Sequence, residues 1–340
     1  MSILPINVGV ISAGAWGTAL AVIANRAGSR VTLYTNNINV RESILVRRTN
    51  DTYLPGIFID PRIAITDDVA KICACDFVVL AIPSHHMRST CIWLSDQIEA
   101  NIPIVIATKG IERGSLALMS EVVTAILPKN PVAILSGPNF ASEAAQGLPT
   151  ATTIACQDER TASQIIYGIG GKYFRPYHTD DLISTQVGGA VKNVIAIACG
   201  IALGRGFGEN ARAAIITRGI AEIARLCLFK GGRQETLMGL SGIGDLMLTC
   251  SSSTSRNMAL GLEIGQKTRP VKAILESRQK QLAEGVMTAD SVTELARKIG
   301  ISMPICMAVK DILYSGNEID DVIQHLLERP FVTEALQTSF

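Results

Sequence analysis

The sequence predicts an α/β domain built on a doubly wound parallel sheet over residues 1–178, followed by an all-helical domain over residues 179–340. Three observations carry this. In the first half, short β-branched runs alternate with segments of helical spacing, the pattern of strands joined by crossover helices. Beyond residue 180 the helical patterns continue and strand patterns almost vanish. With 340 residues, 48% of them hydrophobic and 18% charged, the chain is long enough to give each half its own core.

The expected strands are Ile6–Ile11, Arg30–Tyr34, Phe77–Ile82, Ile104–Ala107, Val132–Leu135 and Thr152–Ala155, with helices at Thr18–Arg26, Asp67–Cys73 and Ser115–Leu127 between several of them. In such a sheet ligands bind at the carboxyl ends of the strands, where Ser84, Lys109 and Ser136 emerge. In the second half Gln186–Leu203, Arg212–Lys230, Arg256–Gly265, Ser291–Lys298 and Pro304–Leu313 read as helices. Gly- and Ser-rich connections join them.

The bulk numbers exclude several classes of function. A net charge of +1, from 31 basic and 30 acidic residues without a long basic run, argues against a nucleic-acid partner or an anionic membrane surface. The eight cysteines form no CxxC pair and lie mostly among aliphatic residues, as expected of a reduced cytoplasmic protein without structural disulfides. Of the four histidines, His85 and His86 have no partner at ligand spacing, so no metal site is expected. The apolar stretch Ala13–Ala24 lacks a preceding basic residue and is broken by Gly14, Trp16 and Gly17. It reads as a turn rather than a leader. No uninterrupted apolar run reaches membrane-spanning length.

Ser12-Ala13-Gly14-Ala15-Trp16-Gly17 follows the first strand and opens a helix, the setting in which GxGxxG binds a dinucleotide in Rossmann-type domains. The second glycine lets backbone approach the pyrophosphate, and the third lets helix and strand pack closely. Ser12 occupies the first position, so the strict fingerprint fails at its tight turn. From spacing alone, a glycine-rich turn without a ligand stays open.

Lys192 is the stronger signal. Val191, Val194, Ile195, Ala196, Ile197, Ala198 and Ile201 leave its helix apolar on nearly every side, so the helix should be buried. A lysine there must snorkel, find a partner or lose its proton. Asn193 adds a second polar group beside it. As an uncompensated amine, Lys192 is expected to be replaceable by alanine without loss of stability. Lys109 follows a strand directly, Asp245 reads most simply as a helix cap, and Arg256 opens a helix in Ser255-Arg256-Asn257. An arginine beside helix N-terminal amides suits a phosphate. A proton donor of depressed pKa with nearby cations suits hydride transfer to a ketone, where negative charge grows on oxygen.

With these residues in place, the chain resembles the NAD(P)-dependent glycerol-3-phosphate dehydrogenases in their bacterial form. The resemblance runs in order through Ala15-Trp16-Gly17-Thr18, Tyr53-Leu54-Pro55-Gly56, Pro83-Ser84-His85, Ala107-Thr108-Lys109-Gly110 and Ser136-Gly137-Pro138-Asn139. It continues through Gly188-Gly189-Ala190-Val191-Lys192-Asn193, Gly242-Ile243-Gly244-Asp245, Thr249-Cys250, Ser255-Arg256-Asn257 and Glu284-Gly285. The resemblance implies reduction of dihydroxyacetone phosphate to sn-glycerol 3-phosphate for phospholipid synthesis, with Lys192 as acid and base. It also implies a substrate site lined by Lys109, Gly137, Asn139, Lys192, Asp245, Ser255, Arg256 and Asn257. The cofactor positions are Ser12, Gly14, Ala15, Trp16, Gly17, Asn36, Lys109, Ala141, Arg256, Leu282 and Glu284. Two residues depart from the family: Ser12 replaces the usual first glycine, and Asn139 stands where threonine is frequent.

NAD and NADP are both expected to serve, since neutral Asn36 after the second strand excludes neither, and Arg41 tilts the expectation towards NADPH. Oligomeric state stays open, a homodimer being compatible. Two other readings remain: a related dehydrogenase of hydroxy acids or ketopantoate, and a non-catalytic nucleotide sensor.

Overall fold

The computed structural model describes residues 5–278 and 283–330. It divides into two compact units, one formed by residues 1–108 with 119–182 and the other by 109–118 with 183–340. The ten residues from Lys109 to Leu118 thus pack with the helical unit, although they lie inside the span 1–178 expected to form the first domain.

The first unit carries an eight-stranded sheet. Its strands are β1 (Asn7–Ile11), β2 (Arg30–Tyr34), β5 (Ala64–Thr66), β6 (Phe77–Leu80), β7 (Ile104–Ile106), β8 (Val132–Ser136), β9 (Thr150–Cys156) and β10 (Phe174–Thr179), while β3 (Thr49–Asn50) and β4 (Leu54–Phe58) form a separate hairpin. The order across the sheet is β10-β9-β8-β7-β6-β1-β2-β5. Chain order therefore reverses between β1 and β6, the switch point at which such sheets open a ligand crevice.

The sheet is not parallel throughout: β9 runs antiparallel to β8, with Leu135 opposite Ile154. A short connection holding only the six-residue helix Ala141–Gln146 returns the chain beside β8, and an antiparallel neighbour needs no full crossover. The helix Glu159–Ile169 then crosses over to β10, parallel to β9. The edge strands β5 and β10 carry no sequence signal, because β10 buries only Phe174 and carries Pro176. One face of the sheet packs Val8, Val10, Val79, Val105 and Leu135 into a core that includes Leu20, Ile23 and Ala24 of α1 (Ala15–Arg26).

The second unit is built round α8 (Leu182–Gly204), buried at eighteen of its positions including Lys192 and Asn193. Its most apolar stretch has a mean hydropathy of 1.7, enough by length and composition to cross a membrane, but 83% of that stretch is buried in the protein. Here it serves as a core helix. Helix α12 (Arg256–Gly265) crosses it closely: a Cβ on Gly261 would lie 2.1 Å from Ile197 O, and one on Gly200 would lie 2.3 Å from Met258 O. Glycine on both helices allows that approach.

Helix α14 (Glu284–Ile299) begins well before the expected Ser291. Gly285 looks like a breaker in sequence, yet a Cβ there would come within 2.6 Å of Asn193 O, so it is a packing glycine. The helix expected from Ser115 begins at Met119 instead, because residues 111–118 fold into a turn with Leu116 at φ 62°. The eight cysteines are buried thiols, and no disulfide joins them among the described residues.

Candidate active site

In the first unit the turn after β1 keeps its shape without its first glycine. Ser12 adopts φ 90°, a left-handed region that L residues rarely enter. Its Oγ accepts the Gly14 amide at 3.3 Å, and its own amide donates to Tyr34 O at 3.2 Å. Gly17 is obligatory, since a Cβ there would sit 1.9 Å from Ser12 O. Gly14, Ala15 and Trp16 form the N-terminus of α1, a twelve-residue helix that has no side-chain cap among the described residues. Its first amides are left for an anion. That arrangement fits a dinucleotide pyrophosphate.

Asn36 is exposed just beyond β2, next to Asn37, which caps the helix Ile38–Arg47. Arg41 is paired with Asp67. Gly137 is buried against the Thr152 backbone, where a Cβ would meet Cα at 3.0 Å. Asn139 donates from Nδ2 to Ala151 O at 2.9 Å, and its Oδ1 is buried with no partner among the described residues. An orphaned acceptor of this kind fits the hydroxyl of a ligand. Ala141 opens the helix Ala141–Gln146.

The second unit gathers the charged residues. The five-residue π-turn Leu240–Gly244 delivers Asp245 to the first position of α11 (Asp245–Ser251), where its side chain is 1% exposed. Asp245 is not the cap. Its Oδ2 accepts from Lys109 Nζ at 2.6 Å, and its Oδ1 accepts from Lys192 Nζ. Lys192 also donates to Thr249 Oγ1 at 2.7 Å, and that hydroxyl donates to Asp245 O at 2.7 Å. Lys192 is therefore a compensated amine, and the expectation that alanine there would leave stability unharmed loses its basis.

Burial pushes the Lys192 ammonium down to about 8, against the Asp245 carboxylate, which favours the charge, and with help from the Lys109 cation. An amine near neutrality, fixed by a carboxylate and a hydroxyl, can give a proton to an alkoxide and take one back.

Around this cluster Asn257 donates from Nδ2 to Asn193 Oδ1 at 3.0 Å and accepts the Gly285 amide at 2.9 Å. Asn193 reaches Glu284 Oε2 at 3.5 Å. These bonds tie α8, α12 and α14 together, so the Asn257 amide is engaged within the protein. Ser255 caps α12 by accepting the Met258 amide at 3.3 Å, and exposed Arg256 stands at the helix's first position. Leu282 lies outside the described residues.

Thr249 is the residue that sequence reasoning passed over. It lies four positions after Asp245, hence on the same helix face, and that spacing could have marked it.

The fold, with its open turn at the switch point, and the buried lysine are those of a nicotinamide-dependent dehydrogenase. Comparison narrows the class. Residues 7–162 match the family model described as NAD-dependent glycerol-3-phosphate dehydrogenase N-terminus, and residues 181–324 match the corresponding C-terminus. A glycerol-3-phosphate dehydrogenase (NAD(P)+) from Caulobacter vibrioides is 47% identical over 329 residues, covering 97% of this chain and 99% of the relative. The solved glycerol-3-phosphate dehydrogenase of Coxiella burnetii is 36% identical with a TM-score of 0.90, over 96% of this chain and 99% of that one. That of Saccharomyces cerevisiae is 27% identical with a TM-score of 0.83, over 95% and 100%. The chain belongs to the NAD-dependent glycerol-3-phosphate dehydrogenase family.

Proposed function

We propose that this chain reduces dihydroxyacetone phosphate to sn-glycerol 3-phosphate, using NADH or NADPH, with Lys192 as the proton donor. The observation that carries this reading is the buried Lys192 amine held by Asp245 and Thr249. The nicotinamide, when bound, supplies the hydride. The ketone oxygen takes its proton from Lys192 Nζ, and the neutral amine regains one from solvent before the next turnover. In the reverse direction the neutral amine accepts the proton.

Asp245 holds both lysines in place, so the cluster carries two cations against one carboxylate and favours the growing oxyanion. Arg256 and the amides at the start of α12 bind the phosphate, while Gly137 and Asn139 offer further substrate contacts. The dinucleotide lies on the Ser12–Gly17 turn, with Asn36, Ala141, Lys109, Arg256 and Glu284 as further cofactor contacts. The first unit serves the dinucleotide, and the second, which includes Lys109, serves the substrate.

Both cofactors serve, with a modest lean to NADPH. Arg41 and Asp67 are both partly exposed, and a pair of that kind is worth about 0–1 kcal/mol, so a 2′-phosphate can compete for the guanidinium. The enzyme acts in the cytoplasm, and its product feeds phospholipid synthesis.

The test is to mix purified protein with dihydroxyacetone phosphate and each reduced cofactor, and to follow nicotinamide absorbance. Oxidation is expected with both. No oxidation of either would sink the proposal, and faster turnover of ketopantoate or a 2-keto acid would move it to another substrate.

A further inference from the structure

Asn50 belongs to the β3–β4 hairpin, just ahead of Tyr53-Leu54-Pro55-Gly56, and it is 0% exposed. A buried amide at such a position must find its hydrogen bonds inside the protein. Nδ2 donates to Ala13 O at 2.8 Å and to Thr18 Oγ1 at 2.8 Å, while Oδ1 accepts the Tyr53 amide at 3.3 Å. Ala13 lies inside the turn that leaves β1, and Thr18 lies in the first turn of α1. One side chain from outside the sheet therefore bonds to the chain on both sides of Gly14-Ala15-Trp16-Gly17, the stretch whose amides would meet a pyrophosphate. That turn is also the one forced to φ 90° at Ser12, where a glycine would rest without strain.

We propose that Asn50 is a positioning residue of the cofactor site: its amide clamps Ala13 to Thr18 and holds the serine-containing turn in its binding shape. Strain at Ser12 favours relaxation of the turn, and such relaxation would move Ala13 and swing the N-terminal amides of α1. The two bonds from Asn50 oppose that movement. The proposal rests on the Ser12–Gly17 turn being the dinucleotide site. It assigns to the hairpin a role in cofactor affinity rather than in the chemical step.

The experiment measures dissociation constants for NADH and NADPH by cofactor fluorescence, together with kcat and KM for dihydroxyacetone phosphate. The proteins are the native full chain, Asn50→Ala, Ser12→Gly and the double variant. Asn50→Ala is expected to weaken both cofactors about tenfold or more, because the turn is no longer held ready for binding, while kcat at saturating cofactor changes by less than about threefold. Ser12→Gly in the same chain is expected to restore most of that affinity, because glycine holds the turn unaided.

Native affinity in Asn50→Ala would overturn the proposal. Equal losses with and without Ser12→Gly would overturn it too, since the clamp would then have nothing to do with the serine. If Asn50→Ala does not fold, Thr18→Val removes one of the two acceptors. Weakened cofactor binding rescued by Ser12→Gly would then support the clamp, and unchanged binding would reject it. Native protein that binds neither cofactor would instead sink the assignment of the turn itself, before any variant is compared.

Discussion

Around Ser12 the groups that matter are backbone: amides at the start of α1, set by a turn whose first residue is at φ 90°. Around Lys192 they are side chains: an amine, a carboxylate, a second amine and a hydroxyl, drawn from three separate stretches of chain. The difference decides how each region tolerates change. A backbone-made site accepts a serine for a glycine provided φ is reached, and Gly17 is the position it cannot yield, with Ser12 O in the way of any Cβ. A side-chain cluster in a buried place has no such latitude, because removing Asp245 would leave the buried Lys192 amine without its carboxylate, at a cost of about 3–5 kcal/mol.

The sharpest way to break this contrast is Lys192→Ala. Turnover should fall by about 10²–10⁴-fold, the usual loss for one positioned acid–base group. Cofactor affinity should be nearly unchanged, because the Lys192 amine bonds to Asp245 and Thr249, neither of which is among the cofactor positions. Retained turnover, measured by cofactor oxidation, would make Lys192 a structural residue.

A second effect follows from proton affinity. Reduction needs the ammonium form, which is lost as pH rises through about 8. The rate of ketone reduction should therefore fall about tenfold per pH unit well above that point, while glycerol 3-phosphate oxidation, which needs the neutral amine, should rise through it. Lys109→Met removes a cation that helps to push Lys192 down, so its midpoint should move to higher pH. A midpoint that stays put in that variant would disconnect the two lysines.

Arg256→Lys tests the phosphate grip. It keeps the charge and loses the planar two-donor fork, so KM for dihydroxyacetone phosphate should rise by about tenfold, with a smaller drop in kcat. Unchanged KM would remove Arg256 from the phosphate site. The smallest effect is expected at Asn36. Asn36→Asp should lower kcat/KM for NADPH several-fold, roughly 1 kcal/mol, and spare NADH, by setting a carboxylate against the 2′-phosphate. Equal losses for both cofactors would mean that residue 36 does not face the ribose.

Strong periodicity made several elements legible in the sequence, and residue type marked the candidates for chemistry. Arg30–Tyr34 and Arg256–Gly265 fall where their patterns placed them, because β-branched runs and helical spacing are local properties. Lys192 stood out for the same reason, as a charge inside one apolar helix. Local pattern could not reveal β10, which is mostly exposed at the edge of its sheet, nor the antiparallel turn-back of β9, nor the allegiance of residues 109–118 to the helical unit. Those depend on what the chain packs against.

The same limit applies to the site. Asp245 read as a cap, and only the fold made it the shared partner of Lys109 and Lys192, 136 and 53 residues away in sequence. Asn257 read as a ligand contact, and only the fold engaged its amide with Asn193 and Gly285. Ser12 read as a defect in a glycine turn, and only the fold supplied Asn50 to bond beside it. Residue type and spacing fix which groups are available. Which of them meet in a buried place, and so which must hold a charge, share a proton or bear strain, is set by long-range packing that no local window contains.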